Sequence, residues 1–550
     1  MASEKLDGNR GKRRLRHCYF IMALAMAGVS TNTLAFNIET SNPDLKLRWD
    51  TTAKYSMSWR LQDQSSDIVD GDPGGPPPGP ELDDGDRNFD KGLVSSRVDL
   101  FTEFDAEYKN LGARVSAAGW YDSVYNDSND NDSAGTVNST SVPAGEFTDD
   151  TRDLMGRDIE ILDAFVFLKS DAYAEKPFSV RLGRHTVLYG ESLFFGSNGV
   201  ANAQSPMDLV KLLQVPGSQF KEIIRPVGQL SGQVQVTPNV SLGAYYQFEW
   251  EENRLPASGS YLSDVDFVGE GAERVLGFLH VDDMEAEDSG QFGAQMRFRA
   301  GDYEYGIYAA RYHDKGPQIY LNPVGGTYRL AYPEDITVYG ASVSTLIGEA
   351  NVAAEVSYRE DTPLVSAPQI DPGFAGDNNG NPLYAIGDTL HAQVSMIQLF
   401  TKNKLWDGAS LLAELAWNRR LSIDMNPLAI DPNVSRNAMA FRMIFEPSFF
   451  QVLPGLDITV PIGLGYNPSG HSSAVFKFNG GVEKGGDFSI GITGNYKKAW
   501  KFALNYVNFF GDENAFLTPN TTSIPGPFMQ SREQSLGDRD FISLSVQTTF

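Results

Sequence analysis

Apolar and polar residues alternate along most of this chain, and this period of two constrains the fold more than any other feature. In the run 47–59 every second side chain is apolar or a threonine, and all the residues between them are polar or charged. Similar runs cover residues 98–108, 240–250 and 411–417. The alternation is typical of strands with one apolar and one polar face. Many runs end in an aromatic residue, as in the girdles of transmembrane barrels.

The connections between these runs alternate between tight turns and long polar loops. The tight turns lie near 109–112, 237–239, 300–302 and 347–349, and the long loops near 62–92, 126–157, 251–289, 361–387 and 511–536. Transmembrane barrels have short turns at one end and long loops at the other. We therefore expect an all-β fold, a single large antiparallel transmembrane β-barrel of about eighteen strands, with sixteen as the alternative. A secreted solenoid is disfavoured because no fixed repeat is visible, and a sandwich because its strands are usually shorter.

The first 35 residues have the layout of a secretory signal peptide. A basic segment, Arg10–Arg16, precedes an apolar run, Cys18–Val29, that is too short to span a membrane as a helix. Small residues at Thr33 and Ala35 suit cleavage after Ala35. We expect a signal peptide at 1–35 and a mature barrel at 36–550. The only cysteine is Cys18, so that mature chain would have no disulfide, Cys–metal site or catalytic thiol.

The last strand carries a second marker of the compartment. Apolar residues or threonine occupy alternate positions from Ile542 to the terminal Phe550. A terminal aromatic on such a strand resembles the signal that the barrel assembly machinery reads. We therefore expect location in the outer membrane, in contact with its lipid and lipopolysaccharide.

The net charge argues against some partners. The whole chain carries −26, and residues 1–35 hold six basic and two acidic residues, so the mature chain would be near −30. Nucleic-acid binding needs basic patches that neutralise phosphates, so no nucleic-acid partner is expected. Asp127, Asn129 and Asn131 have the spacing of a calcium loop but lack its glycine and terminal glutamate. We expect an acidic loop there that faces the lipopolysaccharide, and no specific metal site or cofactor, although divalent ions could bridge such loops to lipid head groups.

Residues 188–226 break the strand pattern. Ser205 followed by Pro206 resembles a helix start, and Pro216-Gly217 would end that helix. We expect a partly helical insertion that folds into the lumen as a plug or constriction. An external loop over the rim is the alternative.

Charged and aromatic residues concentrate around this insertion in an otherwise acidic chain. The candidates for a lumen or constriction site are Arg181, Arg184, His185, Glu191, Phe194, Phe195, Lys211, Lys221, Glu222 and Arg225. Buried charges are normally paired, so one interpretation is a structural network of Arg184 with Glu191, or of Arg225 with Glu222. The other is a constriction that contacts substrate, since charges that line a narrow pore set its selectivity.

Several segments together resemble one family, the domain-of-unknown-function family 1302. They are LRWDTTAKYSMSWR (47–60), NFDKGLVSSRVDLFTEFD (88–105), RLGRHTVLYGESLFF (181–195), NGVANAQSPMD (198–208) and PGSQFKEIIRPV (216–227). This chain has His185 and Tyr189 where the family pattern suggests glutamine and tryptophan. The resemblance implies an uncharacterised outer-membrane barrel. It also implies a companion periplasmic or outer-membrane protein, an inner-membrane exporter of the resistance-nodulation-division class, and hydrophobic substrates such as steroids, hydrocarbons or fatty compounds.

Three functions are compatible with these patterns. The favoured one is a channel or transporter for small hydrophobic or amphipathic molecules. A second is a non-conducting scaffold that partners an export or lipid-trafficking system. The third is an outer-membrane hydrolase, which we disfavour because His471 and its neighbouring serines lack a supporting acid motif.

Overall fold

The computed structural model describes residues 36–69, 82–171, 174–218, 220–275, 277–519 and 528–550. The predicted signal peptide, 1–35, lies outside the described residues, as does the proline-rich part of the first long loop. Among the helices that are described, none is both long and apolar enough to cross a membrane.

Eighteen antiparallel strands in the described ranges form one closed sheet, so the predicted barrel and its strand number are confirmed. The strands are β1 Leu45–Arg60, β2 Leu93–Tyr108, β3 Leu111–Asp122, β4 Arg157–Lys169, β5 Phe178–His185, β6 Val227–Thr237, β7 Val240–Gln247, β8 Phe292–Ala300, β9 Tyr303–Tyr312, β10 Ile336–Ile347, β11 Ala350–Pro363, β12 Ile386–Phe400, β13 Gly408–Arg420, β14 Asn437–Leu453, β15 Leu456–Thr459 with Ile462–Ser469, β16 Gly486–Tyr496, β17 Trp500–Phe510 and β18 Phe541–Thr549. We count β15 as one strand, interrupted at Pro461, which has no N–H to donate. Each strand pairs with the next, and β18 pairs with β1 to close the barrel.

Side chains alternate between the two faces of this sheet. Trp49 and Leu100 are about half exposed on the outer face, whereas Ser56 and Arg60 are buried on the inner face. Because a closed barrel satisfies its backbone hydrogen bonds between strands, an apolar outer face and a polar interior suit it to a membrane. The alternation that the sequence shows is thus the alternation between lipid and lumen.

Long connections and short turns lie at opposite ends of the barrel. The long connections carry the short elements of the fold. The helices are Ser66–Val69, Asp84–Arg87, Asp149–Thr151, Arg152–Gly156, Val200–Ala203, Leu209–Leu213, Phe220–Ile223 and Phe478–Gly480, and the short strands are Phe36–Ile38, Arg274–Val275, Phe278–His280, Gln318–Asn322, Thr327–Ala331, Gln369–Ile370, Leu517–Pro519 and Phe528–Gln530. Five of these strands form a small sheet among the long loops, and Phe36–Ile38 extends the barrel beside β1.

A buried group of charges lies where β1 and β18 meet, and we call it the seam cluster. It consists of Arg60, Asp86, Asp538 and Arg539, whose side chains are all almost completely buried. Arg60 forms ion pairs with Asp86 at 2.6 Å and with Asp538 at 2.9 Å. The seam cluster therefore joins the first long loop to the last one, directly above the strands that close the barrel.

Candidate functional site

The segment 186–226, which we call the strap, connects β5 to β6 and crosses the lumen to the opposite wall. Its far attachment is Glu414 on β13. One oxygen of this buried carboxylate accepts the backbone N–H groups of Leu193, Phe194 and Phe195, at 3.2, 2.6 and 3.0 Å. Hydrogen bonds to an ionised acceptor are stronger than those between neutral groups, so Glu414 fixes the first part of the strap.

Glu355 on β11 holds the strap on either side of that point. It accepts the N–H groups of Glu191 and Val200, both at 2.7 Å. Gly190 has a φ of 100°, and a Cβ atom there would lie 2.4 Å from Glu355 Oε2. The approach therefore requires glycine. The guanidinium of Arg359 adds two hydrogen bonds to strap carbonyl oxygens, at 2.8 and 2.9 Å.

The strap contains three short helical segments, and its predicted helix begins later than expected. Residues Leu209–Leu213 form an α-helix whose N-cap is Asp208, and the Asp208 side chain accepts the N–H of Lys211 at 2.8 Å. Ser205 is therefore not the N-cap. The chain from Met207 to Asp208 instead forms bridges with Ile224 and Arg254, which holds it extended.

Three of the predicted site residues lie in the first half of the strap. The Glu191 carboxylate pairs with Arg297 of β8 at 2.8 Å. Phe195 is buried and packs against Phe478, with ring centroids 5.5 Å apart, and Phe194 packs on the same cluster. These two phenylalanines therefore help to attach the strap to the wall.

Lys211 belongs to a buried network that joins the strap to β4. Its Nζ lies 2.6 Å from Glu160 and 5.1 Å from the centre of the Trp120 ring. Arg254 pairs with the same Glu160 at 2.7 Å and with Asp208 at 2.8 Å. Two cations and two carboxylates thus balance in this network, whose side chains are at most 13% exposed.

The remaining strap residues of the predicted site are Lys221, Glu222 and Arg225, and each is paired or buried. Lys221 pairs with Glu103 at 3.3 Å, and its Nζ lies 4.2 Å from the centre of the Phe101 ring. Glu222 is buried. Arg225 has Glu251 as its ion-pair partner, at 2.6 Å.

Arg184 does not face the lumen. It has the same orientation along β5 as Leu182, which is half exposed on the outer face. The prediction that Arg184 lines the lumen is therefore wrong, because strand residues two apart share a face. Arg184 forms ion pairs with Glu249 at 2.5 Å and Glu251 at 2.7 Å, and not with Glu191 as predicted.

Arg181 and His185 have the opposite orientation on β5 and face the lumen. The Arg181 side chain is exposed and lies 5.7 Å from the centre of the Phe165 ring. His185 is buried and contacts the Ser231 hydroxyl at 2.7 Å and the Gly183 carbonyl oxygen at 2.9 Å. The predicted site residues are thus spread along the strap and its anchors and do not form one compact cluster.

The barrel wall is incomplete beside the strap. β5 pairs with β4 only over Ala164–Lys169, so the upper half of β4, Arg157–Asp163, has no ladder partner on that side among the described residues. The Ile159 N–H hydrogen bonds to the Asp158 carboxylate at 2.7 Å. We call this break in the wall the lateral opening.

Side chains span the lateral opening where backbone pairing stops. Glu160 on the edge of β4 forms ion pairs with Lys211 and Arg254, which lie on the other side of the opening. On the outer face, Ile159 and Ile161 are 83% and 59% exposed, because no neighbouring strand covers them on one side. The opening therefore has an apolar outer edge and charged groups behind it.

A cavity of about 600 Å³ lies among the long loops at the top of the lateral opening. Arg157 and Asp158 of β4 line one side, and Glu252, Arg254 and Glu270 line the other. Burial, together with the nearby negative charges, raises the pKa of Glu252 to about 7. The cavity is therefore acidic, and part of its charge changes near neutral pH.

Four residues that bind the strap or span the lateral opening are not among those predicted from the sequence. Glu355 and Glu414 are lumenal carboxylates in the middle of amphipathic strands, and Glu160 and Arg254 face each other across the opening. An acidic residue at an inward position in mid-strand is the signal that could have found the first two. No pattern in the sequence pairs Glu160 with Arg254, because 94 positions separate them.

The fold is a closed eighteen-stranded antiparallel barrel whose lumen is crossed by an anchored strap. The chain belongs to the family described as "Protein of unknown function (DUF1302)", whose model matches residues 18–550. This match confirms the family resemblance seen in the sequence. No curated protein matches the chain.

Several solved barrels are distantly similar to this chain. OccAB4 of Acinetobacter baumannii shows 11% identity and a TM-score of 0.42, over 93% of this chain and all of that one. OpdK of Pseudomonas aeruginosa, solved with vanillate, shows 10% identity and a TM-score of 0.40, over 92% of this chain and 98% of that one. OmpF of Salmonella typhi, in complex with daunomycin, shows 9% identity and a TM-score of 0.34, over 93% and 100%.

Proposed function

We propose that this protein lies in the outer membrane and passes small hydrophobic or amphipathic molecules between its lumen and the membrane through the lateral opening. The observation that carries the proposal is that the upper half of β4 has no ladder partner on the side of β5 among the described residues. An apolar molecule that leaves a lumen through its external mouth must enter water, whereas one that leaves through the wall stays in an apolar environment. The exposed Ile159 and Ile161 give the opening an apolar edge toward lipid.

The charged network behind this edge supports an amphipathic substrate. Glu160, Lys211 and Arg254 close the opening through side chains, which can move without breaking a strand ladder. A polar group on the substrate could exchange hydrogen bonds with these charges while its apolar part contacts the isoleucines. The opening would then act as a gate for molecules with both properties.

The test is to lock the opening shut with a removable cross-link. Cells carry Glu160→Cys together with Arg254→Cys, and a bismaleimide with an internal disulfide joins the two thiols. We expect the cross-link to lower uptake of a labelled steroid and a labelled fatty acid at least fivefold, and reductant to restore it. Uptake of a disaccharide should not change.

The control is a cysteine pair at Ser410 and Glu446, which face each other across the fully paired strands β13 and β14. Cross-linking this pair should leave all uptake unchanged. If the Glu160–Arg254 cross-link has no effect on the steroid or the fatty acid, the lateral route is wrong. If deletion of the whole protein changes the uptake of neither, passage itself is wrong.

A scaffold for an inner-membrane exporter and a companion protein is the second candidate function. The strap favours it, because an anchored segment across the lumen restricts free flow. Stable capture of such partners, combined with no difference in uptake between wild-type and deletion cells, would support this candidate.

A further inference from the structure

Three aspartates from two long loops meet above the barrel. Asp83 and Asp84 lie in the connection between β1 and β2, and Asp266 lies in the connection between β7 and β8. One carboxylate oxygen from each lies within 4.8 Å of the other two. All three residues are buried, with exposures of 0%, 6% and 0%. Three ionised carboxylates at this separation repel one another, so either one of them takes up a proton or a cation lies between them.

Each of these carboxylates has one satisfied oxygen and one oxygen without a partner. Arg87 donates to Asp83 Oδ2, the Asn138 N–H to Asp84 Oδ2 at 2.9 Å, and the Asp84 N–H to Asp266 Oδ2 at 3.0 Å. The Oδ1 atom of each aspartate is buried and accepts no hydrogen bond. A buried polar atom without a partner is costly and is rare in proteins, so three of them in one place point to a missing ligand.

The neighbouring cations do not fill this place. Arg87 reaches only Asp83 among the three carboxylates, in contacts that are described. Arg274 directs its guanidinium to the side-chain oxygen of Asn138 and the carbonyl oxygen of Val137, at 3.0 and 2.6 Å. Arg539, the other cation nearby, donates to the carbonyl oxygens of Tyr261 and Ser263. None of the described hydrogen bonds therefore brings a guanidinium to the three Oδ1 atoms.

We propose that Asp83, Asp84 and Asp266 bind a divalent cation, with calcium as the favoured ion. All three ligands are carboxylate oxygens, which suit hard cations, and no histidine or cysteine belongs to the described cluster. Calcium accepts irregular geometries and completes its shell with water, whereas magnesium demands a near-ideal octahedron. The ion would join the loop between β1 and β2 to the loop between β7 and β8.

The backbone between the ligands is built for a close approach of these two loops. A Cβ atom on Gly85 would lie 2.3 Å from the Ser263 carbonyl oxygen and 2.7 Å from that of Ser260. Only glycine therefore lets the segment after Asp84 lie against the loop that carries Asp266. Since this loop also supplies Arg254, the ion would restrain one side of the lateral opening.

The experiment uses the full chain, folded in detergent, stripped with chelator and dialysed against buffer that contains magnesium. Calcium bound per protein is measured by mass spectrometry, and thermal unfolding is measured with and without calcium. We expect wild type to bind at least one calcium tightly and to unfold at a higher temperature when calcium is present. Asp266→Asn and Asp84→Asn should each bind one calcium fewer and lose most of this temperature increase.

Asp371→Asn serves as the matched control. Asp371 is also a buried loop carboxylate, but its two oxygens accept the N–H groups of Ala375 and Gly376. This variant should be less stable yet keep the full calcium effect. The proposal fails if wild type retains no calcium against magnesium, a result that needs no variant to fold. It also fails if Asp266→Asn responds to calcium as wild type does.

Discussion

At the scale of single residues, Glu414 shows how much one buried carboxylate can organise. Three consecutive backbone N–H groups of the strap converge on its Oε2 atom. Without this carboxylate these N–H groups would need other acceptors. One negative charge therefore fixes three consecutive residues of the strap against β13.

Glu414→Gln should loosen the strap without unfolding the barrel. Hydrogen bonds to a charged group contribute about 2 kcal/mol each, so even the loss of one should speed amide exchange at Leu193, Phe194 and Phe195 about 30-fold. Hydrogen–deuterium exchange followed by mass spectrometry measures this rate. Glu446→Gln on the adjacent strand should leave the rate unchanged, and equal protection in both variants would contradict the role of Glu414.

The residues of the candidate site could be predicted from the sequence only in part. The neighbourhood of Arg184 in the sequence, beside the insertion, predicts a lumenal side chain, but its position along β5 turns it outward. Asn129 and Asn131 have the spacing of calcium ligands, but their side chains form turns instead. Each side-chain oxygen accepts the backbone N–H two residues later, at 3.1 and 2.9 Å. The partners of most charges come from distant strands and loops, which a local pattern cannot reveal.

At the scale of elements, local patterns predicted strands well and the strap less well. Strands are visible because lipid and lumen impose opposite polarity on alternate residues. The sequence predicts a helix start at Ser205, whereas Met207 and Asp208 form long-range bridges that keep the chain extended there. The missing partner of β4 on one side is not predictable, since Ile159, Glu160 and Ile161 alternate in polarity as residues of the fully paired strands do.

The loop between β7 and β8 should make the stability of the protein depend on pH. Glu252 has a pKa raised from 4.5 to about 7, by burial first and then by Asp283 and Glu270. A carboxyl whose pKa is higher in the folded state stabilises that state only while protonated. The free energy of unfolding should therefore fall as pH rises from about 4.5 to about 7, by about 3 kcal/mol at most.

Glu252→Gln should remove this dependence. The variant should match wild type at pH 4.5 and unfold at a higher temperature than wild type at pH 8, in thermal unfolding of the detergent-folded protein. Glu285→Gln, an exposed carboxylate lining the same cavity, is the control and should show a smaller gain. A variant that gains nothing at pH 8 would refute the assignment.

At the scale of the whole molecule, the number of strands and their connections followed from the sequence. The alternation of short turns with long loops allows an even number of antiparallel strands, and the terminal strand fixes the closure. The closing contact is direct. Phe550 exchanges two backbone hydrogen bonds with Thr51, at 2.8 and 2.9 Å.

We expect the Phe550 side chain to be needed for assembly of the barrel and to contribute little to the packing of the folded protein. Phe550→Ala should lower the amount of folded barrel in the outer membrane several-fold, measured as the heat-modifiable band of membrane fractions. Phe450→Ala removes another exposed phenylalanine, near the short-turn end of β14, and should have little effect. Equal amounts of folded protein in both variants would show that Phe550 is not an assembly signal.

The seam cluster joins the last residues made to the first long loop, so its full set of ion pairs forms only when the chain is complete. Arg60 and Asp86 are translated early, whereas Asp538 and Arg539 are among the last residues to be made. A product that is truncated before β18 lacks both the closing strand and the partners of these early charges. Unfinished barrels would thus present an open strand edge together with an Arg60 that keeps Asp86 but lacks Asp538, and this combination distinguishes them from finished barrels.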